Sequence, residues 1–186
     1  MNIGFALCGS FCTYDQIFPV MELLSRDYSL IPILSDNSSR IDCRFGTAAE
    51  HINAITEICG RNPILTIEEA EPLGPKKLLD ALVIAPCTGN TLAKLAPSIA
   101  DTPVTMAAKS HLRNGRPLVV AVSTNDGLAG AAENIGRLLA RKHYYFVPFG
   151  QDDFRGKPTS LVADFSRIPC TLEKALEGKQ LQPLLI

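Results

Sequence analysis

The stretch ALVIAPCTGNTLAKLA, residues 81–96, contains the signals that decide the fold. Its first part, Ala81–Pro86, is a continuous apolar run, which predicts a strand buried on both faces, as the strands of parallel sheets are. Its last part, Thr91–Ala96, begins a helix. The residues between them are small, so the chain turns directly from strand into helix. A strand followed by a helix is the repeating unit of a parallel α/β sheet.

The same alternation extends along the chain in both directions. Apolar runs predict further strands at Asn2–Cys8, Ser29–Ser35, Pro63–Ile67, Pro117–Ser123 and Tyr144–Pro148. Helical spacing of apolar residues predicts helices over Thr13–Arg26 and Gly46–Cys59, a third that contains Leu128, Ala131, Ile135 and Leu138, and a last one near Thr171–Leu176. We expect Glu68–Lys76 to be a loop, Pro19 to kink its helix or shift its start, and Pro32 to fit a central strand poorly.

These elements predict one domain over residues 1–186, with the architecture of a doubly wound parallel sheet in three α/β/α layers, flavodoxin- or Rossmann-like. We expect five or six parallel strands, with Ala81–Pro86 and Pro117–Ser123 buried at the centre. After Phe149 the chain becomes polar and carries Gly and Pro. Residues 151–170 are therefore expected to form a mobile flap, and residues 171–186 a C-terminal helix and tail.

Composition excludes several classes of function. The formal net charge is −1, from 18 basic and 19 acidic residues, so the chain has no excess of basic residues that would indicate nucleic-acid binding. No apolar run approaches the length of a membrane span, and Met1–Cys8 lacks the basic segment of a signal peptide. The six cysteines form no CxxC and no metal-type cluster with histidine. We expect a cytoplasmic protein with reduced thiols and no metal.

Polar residues of small size follow four of the predicted strands. They are Gly9-Ser10, Ser35 with the polar residues 36–40, the loop Pro86–Thr91, and Ser123–Gly127. Ligands of doubly wound sheets bind beyond the carboxyl ends of the strands, so these four segments predict one site.

Each segment also has a structural explanation. Ser10 either presents a hydroxyl and backbone amides to an anion or caps a helix, and Ser35 and Ser123–Gly127 are either capped turns or ligand contacts. The loop Pro86–Thr91 favours a ligand, because so little bulk lets the backbone approach one closely while Thr88, Asn90 and Thr91 supply donors. We expect Cys87 to be a buried, inert thiol.

The histidines predict no catalytic centre. His51 shares a helix face with Ile55 and Ile58, His111 lies at a helix end, and His143 begins a strand. We interpret all three as structural or solvated. Since no Ser/His/Asp pattern and no carboxylate pair occurs either, catalytic residues are not assigned.

Taken together, the four segments resemble the flavin mononucleotide (FMN) site of the flavoprotein family, which includes cysteine decarboxylases such as phosphopantothenoylcysteine decarboxylase and the flavin prenyltransferases. Pro86–Ala96 is similar to the family signature P-x-S-A-N-T-x-A-K-x-A. The resemblance spans residues 1–150 and implies homotrimers or dodecamers. It implies that FMN is held by Gly9, Ser10, Ser35, Pro86, Cys87, Thr88, Gly89, Asn90, Thr91, Thr124 and Asn125.

Two departures from the family pattern concern decarboxylation. The segment Ile64–Glu68 resembles the family's V-L-H-I-E, but Thr66 stands where the histidine falls. The family's P-x-M-N motif is reduced to Ser123-Thr124-Asn125, which keeps the Asn and loses the Met. Both departures imply a retained ligand site that has given up decarboxylation.

Further segments resemble one branch of the family, an oxidoreductase subunit of sporulating bacteria. They are Ala70–Lys77, Ile99–Leu128, Asn134–Leu139, Tyr145–Asp153 and Gly156–Pro158. This resemblance implies oxidation of a dihydropyridine dicarboxylate in the mother-cell cytoplasm, beside a partner subunit that carries the NAD(P) fold. Arg155 and Lys157 either meet the substrate carboxylates or belong to a solvated segment. A decarboxylase or flavin transferase, and a non-catalytic stabilising subunit, are the alternatives.

Overall fold

The structure, a computed structural model, describes all residues 1–186 and confirms the alternation of strands and helices. The strands are Asn2–Leu7 (β1), Ser29–Leu34 (β2), Ala81–Cys87 (β3), Leu118–Thr124 (β4), Tyr144–Phe146 (β5), Phe149–Gly150 (β6) and Leu161–Ala163 (β7). The α-helices are Tyr14–Ser25 (α1), Asp36–Arg40 (α2), Ala48–Cys59 (α3), Ile67–Ala70 (α4), Gly89–Leu95 (α5), Pro103–Leu112 (α6), Ala132–Leu139 (α7) and Ile168–Leu176 (α8).

Five of the strands form a parallel sheet in the order β2-β1-β3-β4-β5. The order reverses between β1 and β3, which is the switch point at which doubly wound sheets bind ligands. Crossovers that run in opposite directions place their helices on opposite faces of the sheet. Accordingly, α1 packs with α8, and α5 packs with α6 and α7.

The centre of the sheet is apolar on both faces, as the sequence predicts. Every residue of β3 is buried, and in β4 only Thr124, the last residue, is partly exposed. The burial of β-branched and aliphatic side chains on both faces stabilises the parallel pairing. Polar groups are therefore confined to the strand ends, which positions the candidate site.

Two predictions at the edge of the sheet were incomplete or wrong. Pro63–Ile67 is not a strand, because it makes only a single bridge, Ile33 to Ile64, before α4 begins. The predicted loop Glu68–Lys76 instead contains most of α4 and the 3₁₀ turn Glu71–Leu73. Pro32 is accommodated because β2 is an edge strand, where its missing N–H leaves no partner unsatisfied.

The helices largely follow the prediction, and one of them needs correction. α1 begins at Tyr14, one residue after the predicted start, and continues through Pro19; Ile17, Val20 and Met21 on both sides of the proline are buried and hold the helix to the sheet. Leu128 does not belong to a helix, since α7 begins only at Ala132. Leu128 is instead 52% exposed.

The segment predicted as a flap is partly built into the sheet. Within residues 151–170, β7 pairs antiparallel with the end of β4 and with β6, Phe165 is buried, and α8 begins at Ile168. Short antiparallel additions of two or three residues carry too little pattern to be read from the sequence. The sheet is thus mixed, with parallel pairing dominant.

All six cysteines are free thiols. No helix is both long and apolar enough to span a membrane.

Gly74 follows the 3₁₀ turn Glu71–Leu73 and packs against α6. Its carbonyl oxygen accepts a hydrogen bond from the Asn114 side chain at 2.9 Å, and an added Cβ would overlap the backbone carbonyl of Ser110. Because backbone atoms must move to relieve this overlap, Gly74→Ala should lower the free energy of unfolding by about 1–3 kcal/mol. Urea unfolding followed by circular dichroism measures the change.

Gly136→Ala is the matched control. Gly136 lies within α7, and an added Cβ would meet no atom within 4 Å. Its replacement should therefore raise the free energy of unfolding by about 1 kcal/mol through helix propensity. Equal effects of the two substitutions would contradict this packing.

Candidate functional site

Two adjoining cavities open at the carboxyl edge of the parallel strands. The larger, the polar pocket, has a volume of about 820 Å³. It is lined by Gly9, Ser10, Phe11, Cys12, Thr13, Gln16, Cys43, Arg44, Phe45, Thr88, Gly89, Ser123, Thr124, Asn125, Asp152, Lys157 and Val162. The smaller, the side pocket, has a volume of about 350 Å³ and is lined by Cys8, Gly9, Ser35, Asp36, Asn37, Thr88, Asn90, Thr91, Lys94 and Thr102. Gly9 and Thr88 line both, so the four predicted segments do meet at one place.

The turn after β1 is tied to the end of β4. Ser10 precedes the 3₁₀ turn Phe11–Thr13, but its side chain makes no capping hydrogen bond. Instead its hydroxyl hydrogen-bonds the Ser123 hydroxyl at 2.8 Å. The Ser10 side chain therefore does not cap a helix. Its hydroxyl faces the polar pocket.

The turn after β3 is a capped helix start. The Thr88 hydroxyl accepts a hydrogen bond from the Thr91 amide at 3.4 Å, and the Thr91 hydroxyl donates to Cys8 Sγ at 3.2 Å. The side chains of Asn90 and Asn125 have no hydrogen-bond partner in the chain, although Asn90 lines the side pocket and Asn125 the polar pocket. Two amides thus remain free for a ligand.

Gly89 makes the close approach between the ends of β3 and β4 possible. An added Cβ would lie 2.6 Å from Thr124 Oγ1 and 2.9 Å from Asp126 Oδ1. These two oxygens are joined by a hydrogen bond of 2.5 Å. Only glycine fits here without displacing the wall of the pocket.

Ser35 is the N-cap of α2, a position for which the sequence allowed either a capped turn or a ligand contact. Its hydroxyl accepts a hydrogen bond from the Ser38 amide at 3.3 Å. The Ser38 hydroxyl in turn donates to the Leu7 carbonyl at 3.1 Å and accepts from Tyr14. This network fixes Ser35 in the wall of the side pocket.

Three charged side chains from two distant loops line the polar pocket: Arg44, Asp152 and Lys157. Only Lys157 was identified from the sequence. Lys157 Nζ lies 3.4 Å from Asp152 Oδ2. The neighbouring Ser160 hydroxyl and then the Lys157 ammonium hold the pKa of Asp152 below its ordinary value. Arg44 stacks over the Phe45 ring at 4.7 Å and forms no ion pair. Asp152 and Arg44 were missed because neither follows a strand of the parallel sheet.

Three residues assigned to the site do not line either pocket. Pro86 and Cys87 are buried within β3, since the strand extends two positions beyond Ala85. Their contribution to a ligand is therefore limited to the path of the backbone. Arg155 is exposed and packs its guanidinium over the Phe154 ring at 5.5 Å, outside both cavities.

The thiols near the site differ in accessibility. Burial raises the pKa of Cys8 to about 11 and that of Cys87 well above its ordinary value. Cys12 is exposed and lines the polar pocket. The expectation that Cys87 is inert agrees with its burial.

The histidines and Thr66 lie outside both pockets. The ring Nε2 atoms of His51 and His111 lie 3.2 Å and 3.0 Å from the carbonyl oxygens of Phe45 and Pro117. Thr66 caps α4, where its hydroxyl accepts a hydrogen bond from the Glu69 amide at 3.2 Å. No cluster of three or more His, Cys, Asp or Glu side chains could hold a metal ion.

Comparison with known proteins gives, for most of the chain, the family that the sequence motifs resemble. Residues 1–143 match the family model described as Flavoprotein. The chain is 47% identical to the B subunit of dipicolinate synthase from Bacillus subtilis (strain 168) over 186 residues, which cover all of this chain and 93% of that protein.

Solved structures agree with this similarity. The crystal structure of the dipicolinate synthase B subunit from Bacillus halodurans superposes with a TM-score of 0.91 at 46% identity, over all of this chain and 95% of that one. DmrB of Burkholderia xenovorans, solved in complex with FMN, superposes with a TM-score of 0.70 at 18% identity, over 95% of both chains, and so shares the fold.

The exposure of the thiols predicts their order of reaction. With Ellman's reagent at about pH 8, where the thiolate is the reactive form, Cys12 and Cys170 should react fast and Cys8 and Cys87 only after unfolding. Cys12→Ser should remove one fast thiol, and Cys170→Ser, outside the pocket, is the matched control. Fast reaction of Cys8 or Cys87 in the folded chain would contradict the packing of the site.

Proposed function

The chain belongs to the flavoprotein family, and from that premise we propose that it is the FMN-binding subunit of a dipicolinate synthase. In this proposal it oxidises dihydrodipicolinate to dipicolinate together with the A subunit of that synthase, in the mother-cell cytoplasm during sporulation. The observation that carries the proposal is the convergence of Gly9-Ser10, Thr88-Gly89 and Thr124-Asn125 on one polar pocket. The two relatives named as the B subunit of dipicolinate synthase support the choice of reaction.

The residues present fit FMN. Gly89 lines the polar pocket and carries no side chain, so a ligand can reach the backbone of the turn after β3. Ser10, together with the backbone amides of its turn, would bind the phosphate. Asn90 and Asn125 would supply the remaining polar contacts, because their side-chain amides have no partner within the chain, whereas the Ser35 hydroxyl is engaged in capping α2.

The bound flavin would supply the two-electron acceptor that aromatisation of the ring requires. The chain's own residues then have two tasks, to hold a dicarboxylate and to accept a proton. Arg44 and Lys157 enter the polar pocket from two different loops, which suits a ligand with two carboxylates. Of Arg155 and Lys157, the two residues that the sequence suggested for the carboxylates, only Lys157 lines the polar pocket. Arg155 lies outside it.

We assign Asp152 as the acceptor of the proton that the substrate loses. Loss of hydrogen from a dihydropyridine removes one hydride and one proton, and the proton needs an acceptor within the site. Asp152 is the only carboxylate and no histidine is present among the residues lining the polar pocket. Its lowered pKa keeps it ionised, and so able to accept, at neutral pH.

The partner and assembly follow the same proposal. The A subunit of the synthase would bring the NAD(P) site, which this chain does not provide, because the turn after β1 reads Cys8-Gly9-Ser10 and lacks the GxGxxG of a dinucleotide fold. A homo-oligomer, a trimer or a dodecamer, is the proposed state of this chain. DmrB, an FMN-bound structure of the same fold, is described as a cubic protein cage.

Decarboxylation is the second candidate, because cysteine decarboxylases share this fold. The capping role of Thr66 counts against it, since its hydroxyl is bonded to the Glu69 amide and does not titrate near neutral pH. A non-catalytic subunit with a vestigial pocket is the third candidate, and measurements of FMN affinity and turnover separate it from the first.

FMN affinity tests the binding part of the proposal. Ser10→Ala removes a hydroxyl that faces the pocket, and the loss of a charge-assisted hydrogen bond should weaken FMN binding by about tenfold or more. Titration of flavin fluorescence measures the dissociation constant.

Ser39→Ala is the matched control for Ser10→Ala. Ser39 is also half-buried, but its hydroxyl donates to the Asp36 carbonyl within α2, outside both pockets. Its substitution should leave the affinity within about twofold of the wild type, because no ligand contact is lost. Equal affinities of Ser10→Ala and wild type would show that the turn after β1 does not bind the phosphate.

Dipicolinate formation by the chain reconstituted with the A subunit tests the proton acceptor. Asp152→Asn should lower kcat by about 10²-fold or more, the usual contribution of a general base, and leave FMN affinity unchanged. Asp152→Glu should restore part of the rate.

Asp153→Asn is the neighbouring control, since Asp153 accepts a hydrogen bond from the Gly156 amide at 2.8 Å and does not line the polar pocket. Equal rates for the Asp152→Asn and Asp153→Asn enzymes would show that the proton leaves by another route.

A further inference from the structure

A third cavity, the basic pocket, lies at the opposite edge of the sheet from the polar pocket. It has a volume of about 440 Å³ and is formed by the end of α5, by α6 and by the residues that lead into β5. His143 precedes β5 and Tyr144 begins it, so the cavity opens at the amino edge of the parallel strands. No part of it is shared with the site assigned to FMN.

The charge of this pocket is of one sign only. Five of its eleven lining residues are basic and none is acidic. The basic residues are Lys109, Arg113, Arg141, Lys142 and His143, and none of them forms an ion pair. In a chain with a net charge of −1, this is a strong local segregation of charge.

Helix capping explains only one of these basic residues, Arg141. The last carbonyls of α5 are satisfied by the Ser98 and Ile99 amides and by Arg141, and those of α6 by the amides of Asn114 and Gly115. The side chains of Lys109, Arg113 and Lys142 donate no hydrogen bond within the chain, and all three are exposed. They are free to meet an anion.

The frame of the pocket is fixed. Arg141 is held by hydrogen bonds to the Leu95 carbonyl and the Ser98 hydroxyl, at 3.3 Å and 3.1 Å. Ser98 and His143 adopt positive φ angles of 65° and 69°, which are uncommon for residues other than glycine. Such conformations cost free energy and often occur where a wall is shaped for a ligand.

The remaining lining is apolar and selects the body of the ligand. Leu95, Ile99 and Leu112 contribute aliphatic surface, and the half-buried Tyr144 contributes a ring. The volume falls within the range of small-molecule sites, which combine apolar walls with a few fixed polar groups. A compact ion alone would leave these walls in contact with water.

We propose that the basic pocket binds a small organic anion with at least two negative charges and a flat or apolar body. An aromatic dicarboxylate and an aromatic phosphate share this chemistry, and the experiment distinguishes them. This inference does not depend on the proposed oxidation, because the pocket lies at the other edge of the sheet.

Acetylation of lysines under limiting reagent, read residue by residue by mass spectrometry, tests the proposal on the wild-type chain. Pyridine-2,6-dicarboxylate or phenyl phosphate should slow acetylation of Lys109 and Lys142 several-fold, and inorganic phosphate should slow it less, because it lacks an apolar body. Lys76, an exposed lysine outside every pocket described, is the internal reference. Lys157 reports separately on the polar pocket, so failure there and failure here are distinguishable.

The variant Arg113→Ala should abolish most of the protection of Lys109 and Lys142, while Arg26→Ala, an equal loss of charge elsewhere on the exposed surface, should keep it. Protection should also weaken at high salt, as expected for partly exposed charges. The proposal is overturned if neither organic anion slows acetylation, if inorganic phosphate protects as well as they do, or if both lysines are unreactive without any anion, which would show a closed pocket.

Discussion

The parallel pairing of β1, β3 and β4, apolar on both faces, is the constraint on which the rest of the structure depends. A strand without an exposed face has no place for a polar side chain except at its ends. All three strands point the same way, so Leu7, Cys87 and Thr124 end at one edge. The polar residues that follow them are brought together by the pairing, although more than a hundred positions separate Ser10 from Ser123 in the chain.

Close packing at that edge turns a group of polar residues into a pocket. The hydrogen bond between Ser10 and Ser123 bridges the ends of β1 and β4, and Gly89 allows the end of β3 to lie against Thr124. The hydroxyls of Ser35, Thr88 and Thr91 are engaged in hydrogen bonds within the chain. The groups left for a ligand are the Gly9-Ser10 turn, the free amides of Asn90 and Asn125, and the charges of Arg44, Asp152 and Lys157. In the proposed site all of these groups bind ligand except Asp152, which is assigned to the proton.

The sequence predicts the parts of this molecule that follow from periodicity, and it fails where contacts come from distant loops. Continuous apolar runs were enough to identify β3 and β4 as central, and the small residues after them as one edge. The motif Pro86–Ala96 located the site but did not show which of its residues line the pocket. Cys87 is buried in the strand, whereas Gly89 lines the polar pocket. Arg44 and Asp152 enter from loops whose path depends on tertiary packing. The short strands β6 and β7 depend on their pairing with β4 rather than on any pattern of their own.

Whether this chain contributes FMN to dipicolinate synthesis can be tested directly by one reconstitution. The wild-type chain, stripped of any flavin, is mixed with the A subunit of the synthase, NAD(P) and dihydrodipicolinate, and dipicolinate absorbance is followed with and without added FMN. We predict slow formation without FMN and a rate that rises with FMN to saturation at one flavin per chain. Full activity in the absence of any flavin would contradict this role, and would leave the pocket without a cofactor function in this reaction.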